Sequence, residues 1–170
     1  MRLRLATLDD AEAIRAIYNL EVAESTVTFD LVPRTLDEQV DWINAHSGAH
    51  PAVVADEDGE VVGSGSLSPF KERPAYSPTV EDSVYVRRDR RGQGIGRLLL
   101  EDLLRLAVDH GFHTVMARIV GNHEASIALH VACAFELVGT EREVGRKFRR
   151  WLDVVELQKL LSEPEPEPDD

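Results

Sequence analysis

One cysteine, Cys133, is all the chain contains, which excludes an internal disulfide and a cysteine-built metal cluster. No apolar run approaches the roughly 20 residues of a membrane span, so no membrane association is expected. The basic start Met1-Arg2-Leu3-Arg4 runs straight into the acidic pair Asp9-Asp10, and no signal peptide is read there. Cations are scarce: 19 Lys and Arg stand against 31 Asp and Glu, a net charge of −12 that excludes broad nucleic-acid binding. These absences leave a soluble cytoplasmic protein as the expectation.

What is present fits a folded domain. At 170 residues, 43% of them hydrophobic and 29% charged, the chain can bury a substantial core without extreme composition. The few cations are unevenly spread. Arg87, Arg88, Arg90, Arg91 and Arg97 fall within eleven positions, which reads either as a solvated basic loop or as the seat of a compact anion carrying several phosphates.

Hydrophobic patterning divides the chain into alternating elements. Leu3 and Leu5 open a strand; Thr7-Leu8-Asp9-Asp10 is a helix entry, and Ala11, Ile14, Ile17 and Tyr18 recur at helical spacing. A second helix spans about Leu36 to Ala45. Pro51 to Ala55 and Glu60 to Leu67 are strands joined by Asp56-Glu57-Asp58-Gly59, a hairpin signal. Thr79 to Val86 is a strand, Ile95 to His110 a Leu-rich helix with Gly111 after it, Thr114 to Val120 a strand and Ala125 to Cys133 a short helix. Phe135 to Thr140 and Trp151 to about Leu157 complete a mixed α/β domain over residues 1–161. Residues 162–170 alternate Glu and Pro and read as a disordered tail.

The informative stretch is Val84-Tyr85-Val86-Arg87-Arg88-Asp89-Arg90-Arg91-Gly92-Gln93-Gly94-Ile95-Gly96-Arg97, where a strand gives way through glycines to a helix. Glycines permit positive φ and a close ligand, and successive N–H groups at a helix start form an anion site. The spacing is neither the G-x-G-x-x-G of dinucleotide sites nor a Walker loop, because Gly96 is followed by Arg97-Leu98. It is R-x-x-G-x-G, which resembles the coenzyme A pyrophosphate signature of the GNAT superfamily of N-acetyltransferases. Pro69 to Tyr76, Thr79 to Val86, Ser126 to His130 and Val144 to Trp151 further resemble the phosphinothricin and methionine sulfoximine acetyltransferase group.

That resemblance implies a mostly antiparallel twisted sheet of six to seven strands, splayed at the cofactor strand and flanked by about four helices. It implies acetyl-CoA as acetyl donor, no metal, a small amino acid or analogue as acceptor, and a homodimer with Arg146 to Trp151 near the subunit contact. Val84, Tyr85 and Val86 would pair with the pantetheine arm; Arg91, Gly92, Gln93, Gly94, Ile95, Gly96 and Arg97 would hold the pyrophosphate. Glu81 matches the general base and His130 the histidine near the substrate. Lys71 and Arg73 match cations around the substrate, with Tyr76, Phe29 and Ser83 beside them. The family's cofactor-contacting Asn is represented by Asn122, but displaced by one, so that His123 occupies its place. Cys133-Ala134-Phe135 replaces the family's L-G-[FY], and Phe135 cannot act as general acid. Acetylation of another amine, such as a polyamine or peptide N-terminus, and non-catalytic acyl-CoA binding are the alternatives. Gly63-Ser64-Gly65-Ser66 is read as a strand whose glycines admit a neighbouring backbone, and Cys133 as core.

Overall fold

The computed structural model describes residues 1–161; the expected tail at 162–170 lies outside them. The order is β1 (Arg2–Leu5), α1 (Ala11–Glu24), α2 (Leu36–Ala45), β2 (Ala52–Glu57), β3 (Glu60–Pro69), β4 (Thr79–Val86), α3 (Ile95–Asp109), β5 (Thr114–Val120), α4 (Glu124–Ala132), β6 (Glu136–Lys147) and β7 (Arg150–Leu160). The strands form one seven-stranded sheet in the order β1-β2-β3-β4-β5-β7-β6. Every neighbouring pair is antiparallel except β4 and β5. Strand number, helix number and mixed α/β class are those expected. Among the described residues, no helix is long and apolar enough to cross a membrane.

Helices cover both faces of the sheet. On one, α3 buries Ile95, Leu99, Leu100, Leu103 and Ala107, a stripe at helical spacing that packs on Val53, Val80 and Val115. Each such leucine removed from water contributes roughly 1.5–3 kcal/mol. On the other face, Ala11, Ile14 and Ile17 of α1 and Ile43 of α2 close over Val54 and Val61. The helix is let in by Gly63 and Gly65 of β3, where an added Cβ would stand 3.0 Å from Leu99 Cδ1 and 2.9 Å from Leu103 Cδ1 respectively. The glycines therefore admit leucine side chains first, with the Tyr85 and Ser83 carbonyl oxygens next at 3.2 Å. Cys133 lies in this core.

The final hairpin is longer than the pattern predicted. β6 reaches Lys147 because a bulge between Glu141 and Gly145 absorbs a break in alternation. Glu143 takes φ +52° there, and its N–H donates to Asp153 Oδ1 at 2.8 Å. Phe148 and Arg149 then form the turn with φ +50° and +63°. Two non-glycine residues in this region give no sequence signal for a hairpin.

Candidate active site

β4 and β5 pair only from Thr79↔Thr114 to Glu81↔Met116, then part. Beyond Glu81, the β4 edge from Asp82 to Val86 borders an open cleft instead of a strand. Arg118 and Ile119 of β5, the loop from Arg90 to Gly96, and Ser126, Leu129 and His130 of α4 make the other walls. An exposed strand edge of this kind offers main-chain donors and acceptors to an extended ligand. Val84, Tyr85, Val86, Arg91, Gly92, Gly94, Ile95 and Gly96 all line the cleft.

The glycine loop closes one end. Gly92 and Gly94 have φ +74° and +82°, and α3 starts immediately after. The Leu98 N–H makes the first helical bond, 3.1 Å to the Gly94 carbonyl, which leaves the preceding first-turn N–H groups without helical partners. Helix polarity adds partial positive charge at the same point. At Gly96 a Cβ would come within 3.3 Å of Leu129, so this glycine lets α4 close on the loop.

The arginine side chains are less available than their crowding predicted. Arg88 and Arg91 both reach back to Glu21 of α1, at 2.8 and 2.7 Å. Arg87 pairs with Asp89 and Glu60, Arg90 with Glu57, and Arg97 with Glu101. Gln93 accepts from Arg90, and neither Gln93 nor Arg97 is among the residues lining the cleft. Glu21 is 2% exposed; burial pushes its carboxyl up, but the arginines and Ser25 outweigh that and hold it below the usual range. What the loop leaves open toward the cleft is mainly backbone. Asn122 is not among the cleft residues, and Thr26 Oγ1 donates to its Oδ1 at 3.5 Å, whereas His123 lines the cleft.

Alternation along β4 sends Asp82 toward α4 and Glu81 to the opposite face with Ser83 and Tyr85. The Asp82 carboxylate lies 3.1 Å from His130 Nε2, and His130 Nδ1 lies 2.7 Å from the Ser126 carbonyl. Burial pushes the imidazole pKa down, but Asp82 and Ser126 outweigh it and hold it above the usual histidine value. His130 thus borders the cleft as a buried, charge-paired ring with both nitrogens already engaged.

Glu81 is half-buried at the point of divergence. Burial raises its carboxyl pKa; Arg118 opposes this, and Asp82 and Glu156 add to it. Arg118 itself is bound to Glu141 at 2.5 Å and Glu156 at 3.3 Å. The result is a carboxylate readier than usual to take a proton.

The expected acceptor residues are distributed over this same face and its rim. Ser83 adjoins a small pocket under α1 and α2 with Ser66, Tyr18 and Arg34. The Phe29 ring packs on Gly145 so tightly that a Cβ there would overlap it. Lys71, Arg73 and Tyr76 are exposed on the β3–β4 connection, with the Lys71 ammonium 4.9 Å from the Phe70 ring and 5.1 Å from the Tyr76 ring. Glu141 is held below its usual range mainly by Arg118 and Glu156. Sequence reasoning missed Glu21, Asp82 and Arg118. Only Arg118 left a trace, as a lone charge in the apolar run Thr114 to Val120.

Known proteins bear on this geometry. A family model described as an acetyltransferase (GNAT) domain matches residues 3–155. An L-methionine sulfoximine/L-methionine sulfone acetyltransferase of Pseudomonas paraeruginosa is 38% identical over 161 residues, 94% of each chain. An L-amino acid N-acyltransferase of Escherichia coli is 36% identical, over 99% of this chain and 98% of its own. A crystal structure of a phosphinothricin acetyltransferase from Sinorhizobium meliloti, in complex with acetyl-CoA, superposes with TM-score 0.92 at 38% identity, covering 99% of this chain and 93% of that one.

Proposed function

The chain belongs to the GNAT acetyltransferase family, and from that premise we propose that it acetylates the primary amine of an amino acid or amino-acid analogue of the methionine sulfoximine or phosphinothricin kind, with Glu81 as general base. It is an acetyl-CoA-dependent N-acetyltransferase. The carrying observation is the half-buried Glu81 at the end of the β4–β5 pairing, where an unpaired strand edge begins that runs on to the glycine loop.

An acceptor arriving as ammonium has no lone pair. Glu81, its pKa raised by burial, takes one proton and frees the amine to attack the thioester carbonyl in a ternary complex. Collapse of the tetrahedral adduct forms the amide and expels the thiolate. With a thiol pKa near ~8.5, that thiolate is protonated by water or by the returning base. The unpaired β4 edge holds the pantetheine arm in register, and the first-turn N–H groups of α3 hold the pyrophosphate. Lys71 and Arg73, with Phe29 and Tyr76, hold the acceptor's acidic end through charge-assisted bonds.

The working form is a cytoplasmic homodimer. Support comes from the sheet edge: β6 is terminal and exposes Leu137, Val138 and Val144, with Phe148 and Trp151 nearby. The test is a thiol-release assay with acetyl-CoA and a panel of methionine sulfoximine, phosphinothricin and a polyamine. Turnover of the two amino-acid analogues above the polyamine is expected; preference for the polyamine overturns the acceptor assignment.

A further inference from the structure

Along β3, Gly63, Gly65 and Leu67 face α3, while Ser64, Ser66 and Ser68 face the other way, opposite Tyr85, Ser83 and Glu81 of β4. Ser68 is therefore the direct cross-strand neighbour of Glu81 on the same face, where Cβ atoms stand about 4.5–5.5 Å apart. Its hydroxyl lies 3.0 Å from His46 Nε2.

His46 is held in a single tautomer. Its Nδ1 lies 2.8 Å from the Trp42 carbonyl, which can only accept, so Nδ1 carries the hydrogen and Nε2 of the neutral ring is an acceptor. The ring also stacks on the Trp42 indole at 4.0 Å, which fixes its plane. In this arrangement the Ser68 O–H donates to His46 Nε2, and the oxygen's lone pairs are left for a donor on the Glu81 side.

We propose that Ser68 and His46 form a proton exit from Glu81, carrying away the proton that the acceptor ammonium delivers. The proposal rests on Glu81 as the base. The ammonium N–H bond breaks as an O–H bond forms on Glu81. That proton passes, directly or across one water, to Ser68 Oγ, while the original Ser68 hydrogen moves to His46 Nε2 and makes an imidazolium. His46, half-buried at the end of α2, then gives its Nε2 proton to water, and the carboxylate, the serine and the Nδ1–H tautomer are restored. The groups facing the ring are Trp42 on its own helix, Ser68 of β3, Arg34 before α2 and His50 after it. Burial keeps the ring's pKa below the usual value; the Trp42 carbonyl opposes this, and Arg34 and His50 reinforce it, so the ring rests neutral and releases a proton readily. Both residues are positioning residues for proton flow and neither touches the thioester.

The test is steady-state kinetics of Ser68→Ala, Ser68→Thr and His46→Gln in buffers of increasing imidazole concentration. Ser68→Ala and His46→Gln are expected to lower kcat about ten- to a hundred-fold with acceptor KM and coenzyme A affinity nearly unchanged. Imidazole, a small proton carrier, should restore kcat, and Ser68→Thr, which keeps the hydroxyl, should retain it. An unchanged kcat in Ser68→Ala, or a loss that no imidazole concentration repairs, overturns the relay. Glu81→Gln separates the two ideas: a fully active Gln variant removes the base and the relay together, whereas an inactive one beside a fully active Ser68→Ala removes the relay alone.

Discussion

Asp82 and His130, 48 residues apart, meet as a buried carboxylate–imidazole pair 3.1 Å apart between β4 and α4. Neighbouring residues of one strand thereby differ in surroundings: Asp82 ties β4 to α4, while Glu81 lies on the opposite face. His130 and Asp82 are both wall residues of the cleft.

The stability of the protein should carry the signature of that pair. His130 has its folded pKa above the unfolded value of about 6.5. Its contribution is therefore complete below that unfolded value and is lost as pH rises through the folded one. Asp82→Ala is expected to cost about 3–5 kcal/mol at pH ~6, and the gap to the unsubstituted protein should narrow at higher pH. Urea denaturation across pH measures this; a gap that widens with pH would contradict a charged pair.

Glu81→Gln removes the proposed base while keeping size and polarity. A fall in kcat of roughly 10²–10⁴-fold is expected, with coenzyme A affinity preserved because the strand edge and glycine loop are untouched. In the unsubstituted enzyme, kcat/KM should rise as pH climbs through the Glu81 pKa, itself above the ordinary carboxylate value. A Gln variant with full activity and the same pH profile would mean that deprotonation occurs elsewhere.

Gly94 starts α3 at φ +82°, and no protein atom lies within 4 Å of where a Cβ would stand. The defect in Gly94→Ala is thus conformational, about 1–2 kcal/mol for an L-residue in that region, together with a methyl group intruding on the anion site. Coenzyme A binding should weaken severely in calorimetry. Unchanged affinity would sink the loop assignment.

Arg73 is exposed on the β3–β4 connection, so its removal should leave the fold intact. Arg73→Ala is expected to raise KM only for acceptors with a carboxylate or phosphinate. Charge-assisted bonds of ~1.5–3 kcal/mol predict roughly ten- to a hundred-fold discrimination against a plain amine. Equal impairment of both classes would reveal a structural residue.

The amino-acid sequence by itself determined what depends on neighbours in the chain. Alternation in Thr79 to Val86 separates Glu81 from Asp82, and the apolar stripe of α3 selects its buried face. Gly92 and Gly94 mark where a strand can turn into a helix start, because only glycine takes positive φ without strain. Tertiary structure decided what depends on partners brought together from afar. Arg88 and Glu21 are 67 residues apart, and no local pattern tells which carboxylate will neutralise an arginine. Crowded charge therefore left a solvated loop and an anion seat equally open, and the fold pairs those side chains with carboxylates. The Phe148–Arg149 turn was hidden for the related reason that the pairing of β6 with β7 up to Lys147↔Arg150, rather than turn-forming residues, holds it. Nothing local in the chain marks His46, whose contact with Ser68 depends on the register that sets Ser68 against Glu81, and register is a property of two strands together.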